Sequence, residues 1–239
     1  MSDDTHDTAE LRRPKAKQSG GRGGRPPKQL AGAVDERILD AARHVFLRRG
    51  FEGASIDEIA EAARSGKQTI YSRFRDKRAL FTEVVTRDIL ARMAELKAEP
   101  PAGVTLQERL SCVAATVLRW SLDADRIALM RLAVAEAYRF PDLAARVSRT
   151  ARNLSTELGA DLLRRSIHPD ELASMPAFAP ERLTKTARSF LDVLIVPMIL
   201  RALFEVDLKN LEPEIDRHIA SGVAFFLTAC RNDEAQSSI

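Results

Sequence analysis

The chain has 239 residues, 45% of them hydrophobic and 30% charged, with a formal net charge of +3. It can bury one large or two small cores, and its charge is too balanced for a polycation that binds by charge alone. Its two cysteines lack CxxC spacing and its four histidines are scattered, which argues against a disulfide scaffold or a metal centre.

Neither a nucleophile elbow nor a phosphate-binding glycine loop occurs, so the expectation is a non-enzyme with no catalytic residues, no metal and no cofactor. The longest apolar run, Val193 to Leu200, is too short to span a bilayer and contains Pro197. The amino terminus is acidic, with no apolar stretch of the kind a signal peptide needs. These features lead to the expectation of a soluble cytoplasmic protein without a membrane partner.

Low aromatic content with abundant Ala and Leu favours helices, and no strand-period alternation occurs. Residues 1–30 read as a disordered tail, acidic first and then basic. Its Gly24, Arg25 and Pro26 match the core of the AT-hook, which makes Arg25 a minor-groove candidate; a solvated basic arm is the alternative. Ile38, Leu39, Ala42, Val45 and Phe46 form a helical stripe that Gly50 should end. Ser55-Ile-Asp-Glu58 reads as a capping box opening a second helix, with Ile56, Ile59, Ala60 and Ala63 on one face. A brief third helix spans about Lys67 to Phe74. A fourth starts near Asp76 and runs to about Lys97, where Pro100 and Pro101 stop the chain. Five more helices are expected: about Thr105–Leu122, Asp125–Ala137, Asp142–Arg165, Glu181–Phe204 and Pro213–Cys230. Pro197 should kink the fourth of these near Val193. The fold class is therefore all-α. Residues 31–91 form a three-helix helix-turn-helix unit with its motif at 55–74, residues 92–232 form a larger helical bundle, and 233–239 fray.

Six cations and one anion lie between Arg64 and Arg78, on and just after the third helix. In a trihelical unit the third helix enters the major groove of DNA while the second crosses the backbone. Lys67, Gln68 and Thr69 occupy its amino-terminal end and can donate, pair bidentately and offer a methyl group, which are the needs of base reading. Ser55, Tyr71, Arg73, Arg75 and Lys77 are the candidates for phosphate contact.

Three segments resemble the TetR family of bacterial transcriptional regulators: ILDAARHVFLRRGFEGASIDEIAEAA from Ile38, KQTIYSRF from Lys67 and DKRALF from Asp76. The resemblance implies that Thr69 and Tyr71 approach DNA and that Ser55 and Lys77 touch phosphate. Family members usually carry Gly-Val-Ser between the second and third helices, where this chain has Arg64-Ser65-Gly66. The turn is then expected to rebuild around Gly66, with Ser65 as cap.

Family architecture also implies that the carboxy-terminal helices dimerise and hold a small-molecule effector, of unknown identity here. Leu194, Met198, Ile215, Ile219, Val223 and Phe226 are the expected dimer residues, with Ser221 and Gly222 allowing close helix approach. Trp120, Met130, Glu136, Phe178, Phe190 and Met198 are the pocket candidates. The resulting expectation is a homodimeric repressor that binds a palindromic double-stranded DNA operator and is released by its effector. A non-specific architectural DNA binder using the basic tail is the alternative, and a helical adaptor with no DNA role is a third class.

Overall fold

The computed structural model describes residues 28–98 and 100–231, so the expectations for Arg25, the tail before Lys28 and the last residues lie outside it. Among the described residues every regular element is helical. The elements are α1 (Lys28–Gly53), α2 (Ile56–Ala62), α3 (Lys67–Arg73), α4 (Lys77–Ala98), α5 (Leu106–Ser121), α6 (Ala124–Ala135), α7 (Pro141–Ser166), α8 (Leu183–Leu194), α9 (Val196–Phe204) and α10 (Glu212–Arg231). Short 3-10 turns at Leu172–Ser174, Pro176–Phe178 and Leu208–Leu211 fill the connections.

The helix starts follow from local chemistry. Thr105 and Glu108 make a full capping box at α5: the Thr105 hydroxyl accepts from the Glu108 amide, and the Glu108 carboxylate accepts from the Thr105 amide. At α2 only half of the expected box forms. Ser55 Oγ accepts from the Glu58 amide at 3.1 Å, but the Glu58 carboxylate turns away to Arg48 and Arg49 of α1. Two guanidiniums outcompete one backbone amide for a carboxylate. Helix α1 begins at Lys28, earlier than expected, and its regular part stops at Gly50, whose φ of 74° is open to glycine at no steric cost. The helix expected over Glu181–Phe204 is two helices. Pro197 has no N–H to offer the preceding turn, and the chain breaks at Ile195 between α8 and α9.

Arg64 corrects the expectation for the turn. It is the only non-glycine residue with positive φ among those described, at 48°. The Ser65 amide donates to the Ala60 carbonyl at 2.9 Å and the Arg64 amide to the Glu61 carbonyl at 3.0 Å. Those two bonds are a Schellman closure of α2, and Arg64 holds the left-handed place usually filled by glycine. Gly66 has an ordinary φ of −76° and is the residue capping α3, without a side-chain bond. The tilt of α3 is therefore set by the same left-handed closure that a glycine would give, at the cost of a strained arginine. Arg64→Gly is expected to raise stability by about 0.5–1 kcal/mol in chemical denaturation, because the strain outweighs glycine's larger unfolded-state entropy. An unchanged or lowered midpoint would contradict it.

Two hydrophobic cores form. The first joins Ile38, Phe46, Ile59, Ile70 and Phe74 of the trihelical unit to Leu80, Phe81 and Val84 of α4, and extends to Leu129 and Ala133 of α6 and Leu143 and Val147 of α7. Phe46, Phe51 and Phe81 meet with ring centroids 5.1–5.9 Å apart, and Phe140 joins them through Phe51 at 5.8 Å. The headpiece thus shares its core with the body, and α4 runs unbroken through the expected boundary at residue 91.

The second core packs α5, α8 and α10 together with parts of α4 and α7. Leu194, Met198, Ile215, Ile219, Val223 and Phe226, expected at a dimer interface, are all buried inside this core of the single chain. Gly222 serves the same packing: a Cβ there would lie 2.5 Å from Leu194 Cδ2. The close approach it permits is between α10 and α8 of one chain.

Candidate functional site: a nucleic-acid interface and a cavity

Helix α3 buries Ile70 against the trihelical core and turns Lys67, Gln68, Tyr71 and Ser72 to solvent, with Arg75 exposed just beyond it. Tyr71 is 55% exposed, so it is not a core aromatic. Thr69 is half-buried at the edge of this face. The expected reading residues are therefore brought together. Ser72, which sequence reasoning passed over, joins them, and its Oγ donates to the Thr69 carbonyl at 2.8 Å. Its position three residues after Thr69 and one after Tyr71 could have signalled it.

The cations divide by role. Arg64 and Arg75 are exposed with no ion pair among the described residues. Lys67 reaches the exposed Asp57 at 2.6 Å, a surface pair of little net strength that a phosphate can displace. Arg73 turns inward to pair with Asp35 of α1, which ties α3 to the first helix. Lys77 is also inward. Its ammonium donates to the carbonyls of Phe51 at 2.7 Å, Ala54 at 3.0 Å and Glu52 at 3.3 Å, and lies 4.7 Å from the centroid of the Phe51 ring. Three acceptors use all three of its protons. Of the expected phosphate contacts, Arg73 and Lys77 thus have partners within the chain, the Asp35 carboxylate of α1 for Arg73 and the carbonyls at the end of α1 for Lys77.

Nearby, Ser55 is exposed and accepts only the cap bond, so its hydroxyl proton remains available. Partial desolvation pushes the Glu58 carboxyl up, but hydrogen bonds and charge from Arg48 and Arg49 outweigh it and hold the group below its ordinary value. That cluster braces the start of α2 on α1. Asp76 caps α4, its carboxylate accepting from the Ala79 amide at 2.8 Å.

A cavity of about 630 Å³ lies between α4, α5, α6, α7, α8 and α9. Of the pocket candidates, Trp120, Met130 and Phe190 line it. Three other candidates do not. Phe178 packs edge-to-face on Phe226, Met198 is buried in the second core, and Glu136 is the half-buried cap of α6. Sequence reasoning missed Asp88 of α4 and Arg126 of α6, which pair at 2.8 Å on the lining. The guanidinium of Arg126 also stacks 4.2 Å from the Trp120 ring centroid. Much of the remaining wall is small: Ala133, Ala151, Ser155 and Gly159. Small residues leave room for a cavity but give no periodic signal of their own.

Residues 38–84 match the family model described as bacterial regulatory proteins of the tetR family, and residues 108–232 match the AefR-like transcriptional repressor C-terminal domain. The chain belongs to the TetR family. The HTH-type transcriptional repressor SCO4008 of Streptomyces coelicolor is 38% identical over 68 residues, which is 28% of this chain and 35% of that protein. The chain therefore aligns with about a third of that relative's length. Among solved structures, a TetR-family regulator from Mesorhizobium loti aligns at a TM-score of 0.64 with 23% identity, covering 83% of this chain and 97% of its own. The Flavonoid-responsive Regulator FrrA aligns at 0.57 with 26% identity and the same coverage.

Helices α9 and α10 also leave large apolar side chains exposed. Val196, Leu200 and Phe204, four residues apart on α9, are exposed, Phe204 at 84%, and Phe225 is exposed on α10. Arg131 of α6 holds the end of α9 in place by donating to the carbonyls of Ala202 at 2.7 Å and Leu203 at 3.1 Å. Arg201, on the same helix, is exposed and bidentate to Glu214 at 2.7 and 2.9 Å.

Proposed function

We propose that the protein is a homodimeric transcriptional repressor that reads a palindromic operator and is released by a small-molecule effector. The exposed polar face of α3 carries this reading: Lys67, Gln68, Thr69 and Tyr71 with Ser72 meet base edges, while Ser55, Arg75 and Arg64 anchor phosphates. The matched repressor domain and the relative's name support the sign of regulation. The name of FrrA and the cavity support an effector. The effector acts by binding better to a state whose reading heads are not at operator spacing. Its lever is α4, which is packed into the trihelical core at one end and lines the cavity at Val85, Asp88 and Ile89.

Dimerisation uses the exposed face rather than the buried one. Val196, Leu200, Phe204 and Phe225 are the anchors, since large apolar side chains left in water on adjacent helices are what a partner copy would cover. The test combines assembly and recognition. The wild-type protein should sediment as a dimer and prefer an inverted repeat from its own upstream region over random DNA by about a thousandfold. Leu200→Glu with Phe204→Glu should sediment as a folded monomer and lose most of that preference, because one head reads half a site. Equal affinity of the wild type for all sequences would instead identify an architectural binder. A dimer that survives both substitutions would place the interface elsewhere.

A further inference from the structure

Resting on the reading of the protein as a homodimer whose cavity takes the effector, we infer that the second copy of the chain closes that cavity, so that the effector site is complete only in the dimer. Three observations carry this.

The first is where the cavity opens. Its deep wall, with Val113, Val117, Leu158, Phe190 and Ile195, is buried. Its exposed lining residues are Val134 of α6, Ser148 and Arg152 of α7, Arg188 and Asp192 of α8 and Val196 of α9. They mark the mouth. A ligand in a site left open keeps part of its apolar surface in water and gains less from burial.

The second is what adjoins the mouth. Helix α9 packs against α6 and α8 and forms a wall one helix thick. Ile199 and Leu203 line the cavity, Leu200 and Phe204 are 56% and 84% exposed, and Val196 belongs to both sets. Val134 lies one turn beyond Arg131, whose guanidinium holds the end of α9, and Val206 follows that helix; both are exposed. The mouth is therefore continuous with exposed apolar surface, and a partner that covers one covers the other.

The third is charge. Arg188 and Asp192 stand four residues apart on α8, both exposed and neither in an ion pair among the described residues. A patch carrying both signs is self-complementary. About a two-fold axis, Arg188 of one copy faces Asp192 of the partner subunit, and the reverse. Such pairs fix the register of two copies more than they add affinity. They select a second copy of this chain over an unrelated protein as the occupant.

The experiment uses the full-length protein and prodan, a neutral dye whose emission reports apolar surroundings. Its dissociation constant is measured at protein concentrations above and below that of dimer dissociation, and the dimer constant is measured by sedimentation with and without saturating dye. The dimer should bind the dye about tenfold tighter than the monomer, and saturating dye should tighten the dimer about a hundredfold, tenfold for each of two sites. Ala151→Phe, which adds a ring to the lining, should abolish dye binding. Asp192→Arg sets like charges across the axis and should loosen the dimer roughly tenfold, with dye affinity falling at fixed protein concentration; adding Arg188→Asp reverses both pairs and should restore both properties. Equal dye affinity in monomer and dimer, or a double variant as loose as Asp192→Arg, would overturn the inference while the cavity stands as a ligand site. Dye binding that is absent, or that persists in Ala151→Phe, removes the cavity reading and the inference together. A wild type that stays monomeric with and without dye removes the homodimer reading and the inference with it.

Discussion

Lys77→Met is expected to lower stability by about 2–3 kcal/mol, because hydrogen bonds to a charged donor are worth about 1.5–3 kcal/mol and this ammonium makes three that share one charge. The methionine keeps the length of the apolar stem but leaves the carbonyls of Phe51, Glu52 and Ala54 without their donor at the end of α1. It also removes the cation from the Phe51 ring. That loss falls where α1, α4 and Phe140 of the body meet, so the cooperative midpoint of the whole chain should move, by roughly 5–10 °C. DNA affinity, measured well below the melting temperature, should change little. The opposite pattern would restore Lys77 as a phosphate contact: unchanged melting, with weaker DNA binding and a shallower salt dependence.

Gln68→Ala and Arg75→Ala should separate reading from anchoring. Both side chains are exposed, so neither substitution should move the melting temperature. Gln68→Ala is expected to cost about 1–3 kcal/mol per half-site on the operator, felt twice in a two-fold complex, and to relax discrimination at one base pair. Arg75→Ala should weaken operator and random DNA alike and reduce the slope of log affinity against log salt by about one per half-site. Fluorescence anisotropy across a salt series, on the operator and on single-base variants of it, reads both effects. Operator discrimination that survives Gln68→Ala intact would remove that residue from the reading set.

The two substitutions and Lys77→Met probe cations and polar groups within ten residues of one another, yet their expected effects differ in kind. Six cations between Arg64 and Arg78 look like one basic surface along the chain. In the fold, Arg73 and Lys77 face α1, Arg78 stacks on Phe140 at 5.4 Å, and Lys67 has a carboxylate partner. Arg64 and Arg75 are exposed, with no ion pair among the described residues. Charge counted along a sequence overstates charge available to a partner, because helix ends supply carbonyls that compete for the same cations.

The sequence by itself determined the helices, the trihelical unit and the outward face of α3. Those depend on spacings of three and four residues, on caps such as Thr105, Asp76 and Ser55, and on the chain break at Pro197, all of which act locally. The turn was misplaced because a left-handed arginine has no compositional mark; only the two Schellman hydrogen bonds reveal it. Which apolar stripe of α8–α10 faces inward was also undecidable from periodicity. Leu194 and Val223 belong to the core while Leu200 and Phe225 face water, and both sets are equally hydrophobic. The cavity depended still more on tertiary structure. Its Asp88–Arg126 pair joins residues on separate helices, and its volume comes from Ala, Ser and Gly side chains that fail to fill the space between six helices. Local interactions decide where helices begin, end and turn. Which face is buried, which cation is free and where packing leaves a hole depend on what the other helices bring, and that is a property of the assembled chain.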